Sequence, residues 1–419
     1  MPWRTALSLT GMLLAASAAV AQDSPSSRVA SVLRSLPEPT YRGAAFQSFT
    51  YFDLKAMEQA QAVERPGLGP LASPAREAAG RWGSAMRPVQ DLFEGYPSRA
   101  LLAVLVPEPE PSKEKVSALR LALAIDQVAL LRDTQSSKVL FRLPSNSKAA
   151  ALLKPVLGSR GFEAGTARRK GSGGAALKVW RAGETTPSKL KADPWDPIAP
   201  LLKDAASIVK DQNTVVLDSD EDGLSLTLDR ATGSVASLAD SARYAALLDA
   251  LAEPQAAPGS VLRLAALEVH FPLDYVALRW VGPYASSAQR KAMIQEIAAQ
   301  ASGRLPPYET AVFMEQDLDG RRAFTFALVY EDPELAAAAV EALKARLEVF
   351  QPLQTKRPIM GLAEGPPESL VHAAEVHERW VAVVRLWRKE GAEGKSLLAN
   401  YLFDELHQGT LIPLTITAP

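Results

Sequence analysis

The stretch Phe326-Ala327-Leu328-Val329-Tyr330-Glu331-Asp332-Pro333-Glu334-Leu335-Ala336-Ala337-Ala338-Ala339-Val340 decides the fold class of this chain. Phe324, Phe326, Leu328 and Tyr330 recur at every second position, the period of a strand. Asp332 then offers a side-chain oxygen to the free amides of a helix start. Pro333 suits the first helical position, where its missing N–H has no intrahelical partner to lose. Ala336, Val340, Leu343, Leu347 and Phe350 fall on one apolar helical stripe. The unit is strand, acidic cap, helix.

The same order occurs 187 residues earlier. Val139 to Leu143 reads as a strand, Ser145-Asn146-Ser147 as a polar cap, and Lys148 to Leu157 as a helix closed by Gly158. Ser145 falls on Asp332, Ala149 and Ala150 on Ala336 and Ala337, and Leu153 on Val340. Each helix is followed by a loop, a strand or hairpin, and a segment introduced by Ser-Leu, namely Ser237-Leu238 and Ser396-Leu397. This grammar predicts an internal duplication. The fold class is α+β, two related units of mainly antiparallel sheet with helices packed on one face.

Working outward, strands are expected at Phe46 to Leu54, Ala100 to Val106, Leu119 to Ile125, Ala176 to Arg181, Thr214 to Leu217 and Leu224 to Leu228. A helix is expected from Ile198 to Lys210, and another after a cap at Asp240. Further on, Val261 to Phe271 and Tyr275 to Val281 read as strands, and Ser287 opens a helix. Thr310 to Met314 and Arg322 to Tyr330 form a hairpin about Asp319-Gly320, Val371 to Arg388 a strand or hairpin, and Leu397 to Leu406 a helix. The boundaries that follow are a first unit at 41–253, a Pro-rich linker at 254–260 and a second unit at 261–419.

Residues 1–21 have the three parts of a secretory signal peptide: one positive charge at Arg4, a short apolar run, and small residues at Ala19 and Ala21. Cleavage after Ala21 is expected, giving an exported chain, periplasmic or extracellular. Residues 22–40 read as a flexible Ser/Pro-rich tether with a short helical pattern at Val29, Val32, Leu33 and Leu36. The chain has no cysteine, which excludes disulfides, thiolate metal sites and a thiol nucleophile. After the leader no run approaches the ~20 apolar residues of a membrane span, so a soluble protein is expected. Forty-six Lys and Arg against forty-seven Asp and Glu leave no global positive field for a nucleic acid.

Two constellations stand out as candidate sites. Asp218-x-Asp220-x-Asp222-Gly223, with Asp229 eleven positions after the first Asp, has the oxygen spacing of a calcium loop. Its flanks read as strands, so an acidic hairpin tip is the competing account. Trp180, Trp280 and Trp387 each neighbour an arginine, Arg181, Arg279 and Arg388, at a strand end. They would make a ligand-stacking surface or, alternatively, cover a sheet edge. Ser207-x-x-Lys210 matches part of a serine–lysine motif without its companions. His377-Glu378 lacks the second histidine of a zinc-protease motif, because position 381 is Val. No catalytic residue is assigned, and no cofactor beyond the calcium that the aspartates would hold.

The run Asp222-Gly223-Leu224-Ser225-Leu226-Thr227-Leu228-Asp229, then Ala231-Thr232-Gly233, Ser237-Leu238-Ala239-Asp240-Ser241 and Tyr244-Ala245-Ala246-Leu247-Leu248, resembles a pattern in uncharacterised exported bacterial proteins. The strand, acidic cap and Ala-rich helix at Tyr330 to Leu343 recur in that family too. The resemblance implies an exported α+β envelope protein and carries no chemistry. The sequence thus points to a noncatalytic binding or protein-interaction protein of the bacterial envelope, whose partner would be an envelope protein. The alternatives are a carrier of a small apolar ligand and an unrecognised envelope hydrolase.

Overall fold

Phe326, Leu328 and Tyr330 do share one face of a strand, and the helix that follows packs on that face. The computed structural model of the chain describes residues 25–38, 47–53, 114, 117–118, 121, 124–133, 137–144, 148–167, 176–184, 198–202, 205–231, 233–241, 244–245, 248, 261–269, 286–300, 305–318, 321–349, 368–376 and 379–387. The leader, the 254–260 linker, the strands expected at 100–106 and 275–281 and the helix expected at 397–406 lie outside them.

Twelve strands form one sheet among the described residues. They are β1 (Gln47–Asp53), β2 (Gln127–Asp133), β3 (Ser137–Arg142), β4 (Phe162–Ala167), β5 (Leu177–Ala182), β6 (Ser207–Asp211), β7 (Thr214–Asp218), β8 (Val261–Val269), β9 (Thr310–Leu318), β10 (Arg321–Tyr330), β11 (Glu368–Val376) and β12 (Arg379–Trp387). Their order across the sheet is β11-β12-β10-β9-β8-β1-β2-β3-β7-β6-β5-β4, and every pairing is antiparallel. The helices are α1 (Pro25–Leu33), α2 (Leu153–Gly158, entered through a tight turn at Lys148–Leu152), α3 (Ala199–Leu202), α4 (Glu221–Ala231), α5 (Ser287–Gln300) and α6 (Pro333–Val349). The protein is therefore α+β.

Its two units share one topology. In the first, β1-β2-β3 form a meander, α2 follows, and β7 returns to lie beside β3. In the second, β8-β9-β10 form a meander, α6 follows, and β12 returns to lie beside β10. The antiparallel pairing of β1 with β8, Tyr51 opposite Ala265, joins the units about a local two-fold. Hairpins β6–β7 and β11–β12 are thus equivalent, and β4–β5 extend the first unit alone.

Directly opposed residues share a face, so the register traces each side of the sheet through both units. Phe52, Val128, Val139 and Leu217 on one side pack with Leu153, Val156 and Leu157 of α2 and Leu201 and Leu202 of α3. The equivalent side of the second unit packs with Ala336, Ala339 and Leu343 of α6. Both unit helices therefore cover the same face. The opposite face is covered as well: Val29, Val32, Leu33 and Leu36 meet Phe49, Tyr51 and Leu131, and Leu224 of α4 meets Val179 and Val209.

Five local expectations are corrected. Within the stretch read as a tether, α1 is an integral helix whose four apolar side chains are buried. At Leu119 to Ile125, where a strand was expected, Ser117, Ala118 and Leu121 are helical, and the strand is β2. Ile198 to Lys210 is not one helix: α3 stops at Leu202, and Ser207 begins β6. Leu224 to Leu228 belong to α4 rather than to a strand. The left-handed glycine after α2 is Gly161, at φ 82°, three residues beyond Gly158.

Candidate functional site

The acidic run is a strand-to-helix junction. Strand β7 ends at Asp218, Asp220 caps α4 by accepting the Gly223 N–H at 2.5 Å, and Asp222 occupies the first turn, where a carboxylate complements the helix dipole. Leu224 and Leu228 lie four apart on the helix and dock on the sheet; the intervening Leu226 is half-exposed. The alternation that suggested a strand is thus incidental to a helical i, i+4 pair.

Asp218 turns inward. It stands opposite Lys138 of β3, and one carboxylate oxygen takes the Lys138 ammonium while the other accepts the Thr227 hydroxyl at 2.9 Å. Lys138 also donates to the Gly223 carbonyl at 3.2 Å. The ion pair is almost wholly shielded, with 4% and 0% of the side chains exposed. Burial pushes the Asp218 carboxyl up from its ordinary value, against the opposing pull of Lys138 and of the Thr227 hydrogen bond. Gly223 is required by this closeness: a Cβ there would lie 2.8 Å from Lys138 Nζ and 2.9 Å from Asp218 Oδ1.

These contacts do not fit calcium. Both Asp218 oxygens are spent on protein donors, Asp220 is spent on a cap, and Asp222 is exposed. Asp229 sits two turns along α4, on the helix rather than on a loop that could fold back. Among the described residues no group of three or more His, Asp or Glu is placed to hold a metal.

The tryptophans separate. Trp180 is buried in the core against α2 and α3, on the penultimate strand at one end of the sheet. Trp387 lies on the penultimate strand at the other end, so the two do not share a surface. Trp280 is outside the described residues. Trp387 has a cationic partner in Arg385, two residues back on the same face, whose guanidinium carbon is 5.7 Å from the ring centroid. Arg385 Nε also donates to Thr325 Oγ1 at 3.3 Å, and Leu370 stands opposite Arg385 on β11 with 42% of its surface exposed. At the β11 end of the sheet an exposed Leu370 therefore shares a face with half-buried Trp387 and buried Arg385. Arg388 lies outside the described residues.

The serine–lysine pair is split. On β6, positions three apart point to opposite faces, so Ser207 is buried while Lys210 reaches outward to the Gln212 carbonyl at 2.5 Å. A second polar cluster, missed in the sequence, holds α1. Arg28 pairs with buried Asp53, Tyr51 donates to the same carboxylate at 3.4 Å, and Arg142 donates to the Ser31 carbonyl at 2.6 Å and to Ser35 Oγ at 3.3 Å. Burial, and next the Asp53 charge, push the Tyr51 hydroxyl up, and burial draws Arg142 down.

No helix among the described residues is long and apolar enough to cross a membrane. No family model matches the chain, and no curated protein matches it. A solved structure titled "Structure of crystal form I of TP0453" is similar at a TM-score of 0.36 and 7% identity, covering 90% of this chain and 96% of that one, a level that informs neither fold nor activity.

Proposed function

We propose that the protein is exported, losing residues 1–21 after Ala21, and serves in the bacterial envelope as a noncatalytic binding or protein-interaction protein. The observation that carries this reading is the surface at the β11 end of the sheet. There an exposed Leu370 shares a sheet face with half-buried Trp387, whose ring stacks with the buried Arg385. An exposed apolar side chain next to a half-buried aromatic ring is the chemistry of interface anchors. The buried and half-buried charges support the same reading from another side. Lys138, Asp218, Asp53 and Arg142 each bind a neighbouring element of the fold, so their charge goes into architecture.

Native mass spectrometry of the mature chain, purified gently from its own envelope, tests the proposal. The expected result is a species heavier than the bare chain from Gln22, whose extra mass is lost in a Leu370→Lys/Trp387→Ala variant. A bare chain that takes up nothing from envelope extract overturns it.

A further inference from the structure

The local two-fold makes one hairpin of this protein a template for another. Lys138 opposite Asp218 in β3–β7 corresponds to Thr325 opposite Arg385 in β10–β12, since 138 + 187 = 325 and 218 + 167 = 385. Carried one strand further, Ser207, Ile208, Val209 and Lys210 of β6 correspond to Leu370, Val371, His372 and Ala373 of β11.

The two strands differ in what lies beyond them. In the first unit β5 pairs antiparallel with β6, placing Arg181 opposite Ser207, Trp180 opposite Ile208, Val179 opposite Val209 and Lys178 opposite Lys210. Ser207, Ile208 and Val209 are buried under that arrangement. Strand β11 is the last strand of the sheet among the described residues, and Ser369, Leu370, Ala373 and Glu375 are exposed along it. Its sequence, Glu368-Ser369-Leu370-Val371-His372-Ala373-Ala374-Glu375-Val376, carries two glutamates and neither lysine nor arginine. The strand that covers β6, Leu177-Lys178-Val179-Trp180-Arg181-Ala182, is basic, with Lys178 and Arg181 on opposite faces among apolar residues.

We infer that the outer edge of β11 accepts an extended, antiparallel strand of a partner protein that combines apolar residues with lysine or arginine. Main-chain hydrogen bonds would supply the pairing, Val371 and Leu370 would meet the apolar side chains, and Glu375 would select the basic ones. The β5 template places a tryptophan-like residue opposite Val371 and a lysine opposite Ala373, diagonal to Glu375. This inference rests on the binding role proposed above and gives it a place and a partner class.

The test uses the mature chain and a fluorescent peptide of residues 175–184, which contains β5. Fluorescence anisotropy should show saturable binding. It should weaken at least about fivefold when Lys178 and Arg181 of the peptide are both replaced by glutamate, and by a similar factor in a Glu375→Lys protein at low salt. Ala373→Pro, which bars a strand ladder, should weaken it too. Since that variant risks the fold, Glu375→Lys with an unchanged melting temperature carries the comparison. Equal binding of both peptides overturns the inference, as does protection of every β11 amide from hydrogen exchange in the free protein, which would mean the chain covers its own edge. Self-association abolished by Glu375→Lys overturns it in favour of a second copy. If the native envelope preparation carries a partner retained by both β11 variants, the placement on β11 falls and the binding role stands; if it is bare and no peptide binds, both fall.

Discussion

Lys138 on β3 and Asp218 on β7 stand directly opposite each other and form an ion pair from which water is almost wholly excluded. Such a pair stabilises little relative to an apolar pair of equal size, yet it is costly to halve. Lys138→Met or Asp218→Leu alone should lower the unfolding free energy by about 3–5 kcal/mol, because each strands a buried charge. The double variant should lose much less than either single one. Urea unfolding of the four proteins closes the cycle, and additive losses would refute the buried-pair description.

Gly223 lies where the helix start meets that pair, and a methyl group there has no room. Gly223→Ala should cost about 1–3 kcal/mol, the usual penalty for overpacking. Gly233, at φ 76° with nothing near its missing Cβ, should respond to alanine through backbone strain alone. Combining Gly223→Ala with Lys138→Met should then cost less than the sum, whereas Gly233→Ala should add independently in thermal melts.

Helix α1 is held by apolar burial and by Arg142 reaching its carbonyl at Ser31. Leu33→Ala should destabilise by about 2–5 kcal/mol. Arg142→Ala should leave the sheet folded but release the helix. Limited proteolysis between residues 34 and 47 checks this, with cleavage expected in the Arg142 variant before global unfolding.

Ser237 and Asp240 form a reciprocal cap, and the Ser237 hydroxyl, then its backbone N–H, hold the Asp240 carboxyl below the ordinary carboxylate range. A folded value below the unfolded one means that the contribution is present above the unfolded value, about 3.9, and is lost as pH falls through the folded value. NMR titration of the Asp240 carboxyl should therefore give a midpoint below 3.9. Ser237→Ala should move it upward, and an unmoved midpoint would show that the hydroxyl plays no part.

The elements legible in the sequence were those with one exposed face or an explicit stop signal. Strands β9 and β10 pair as the expected hairpin, with Arg321 opposite Leu318, and α6 begins with Asp332 accepting the Glu334 N–H at 2.7 Å. Strand β2 was illegible for the opposite reason. Val128 and Leu130 are buried on one face and Ala129 and Leu131 on the other, so its apolar run does not alternate. Just upstream, Leu119, Leu121, Leu123 and Ile125 do alternate in a segment where Ser117, Ala118 and Leu121 are helical. For the site, the aspartates were visible and their partner was not. Lys138 meets Asp218 across 80 residues of chain through sheet register, which no local motif records.

The joint between β1 and β8 has a consequence for synthesis. Strand β1 ends at Asp53 and β8 begins at Val261, so 261 − 53 − 1 = 207 residues separate β1 from its second neighbour. Until β8 is made, a central strand stands as an open edge, the state most prone to pair with the wrong chain. A chain cut after the first unit would keep that edge for good, and two such halves could pair β1 to β1 about the same two-fold, rebuilding from two chains the joint that the full protein makes within one.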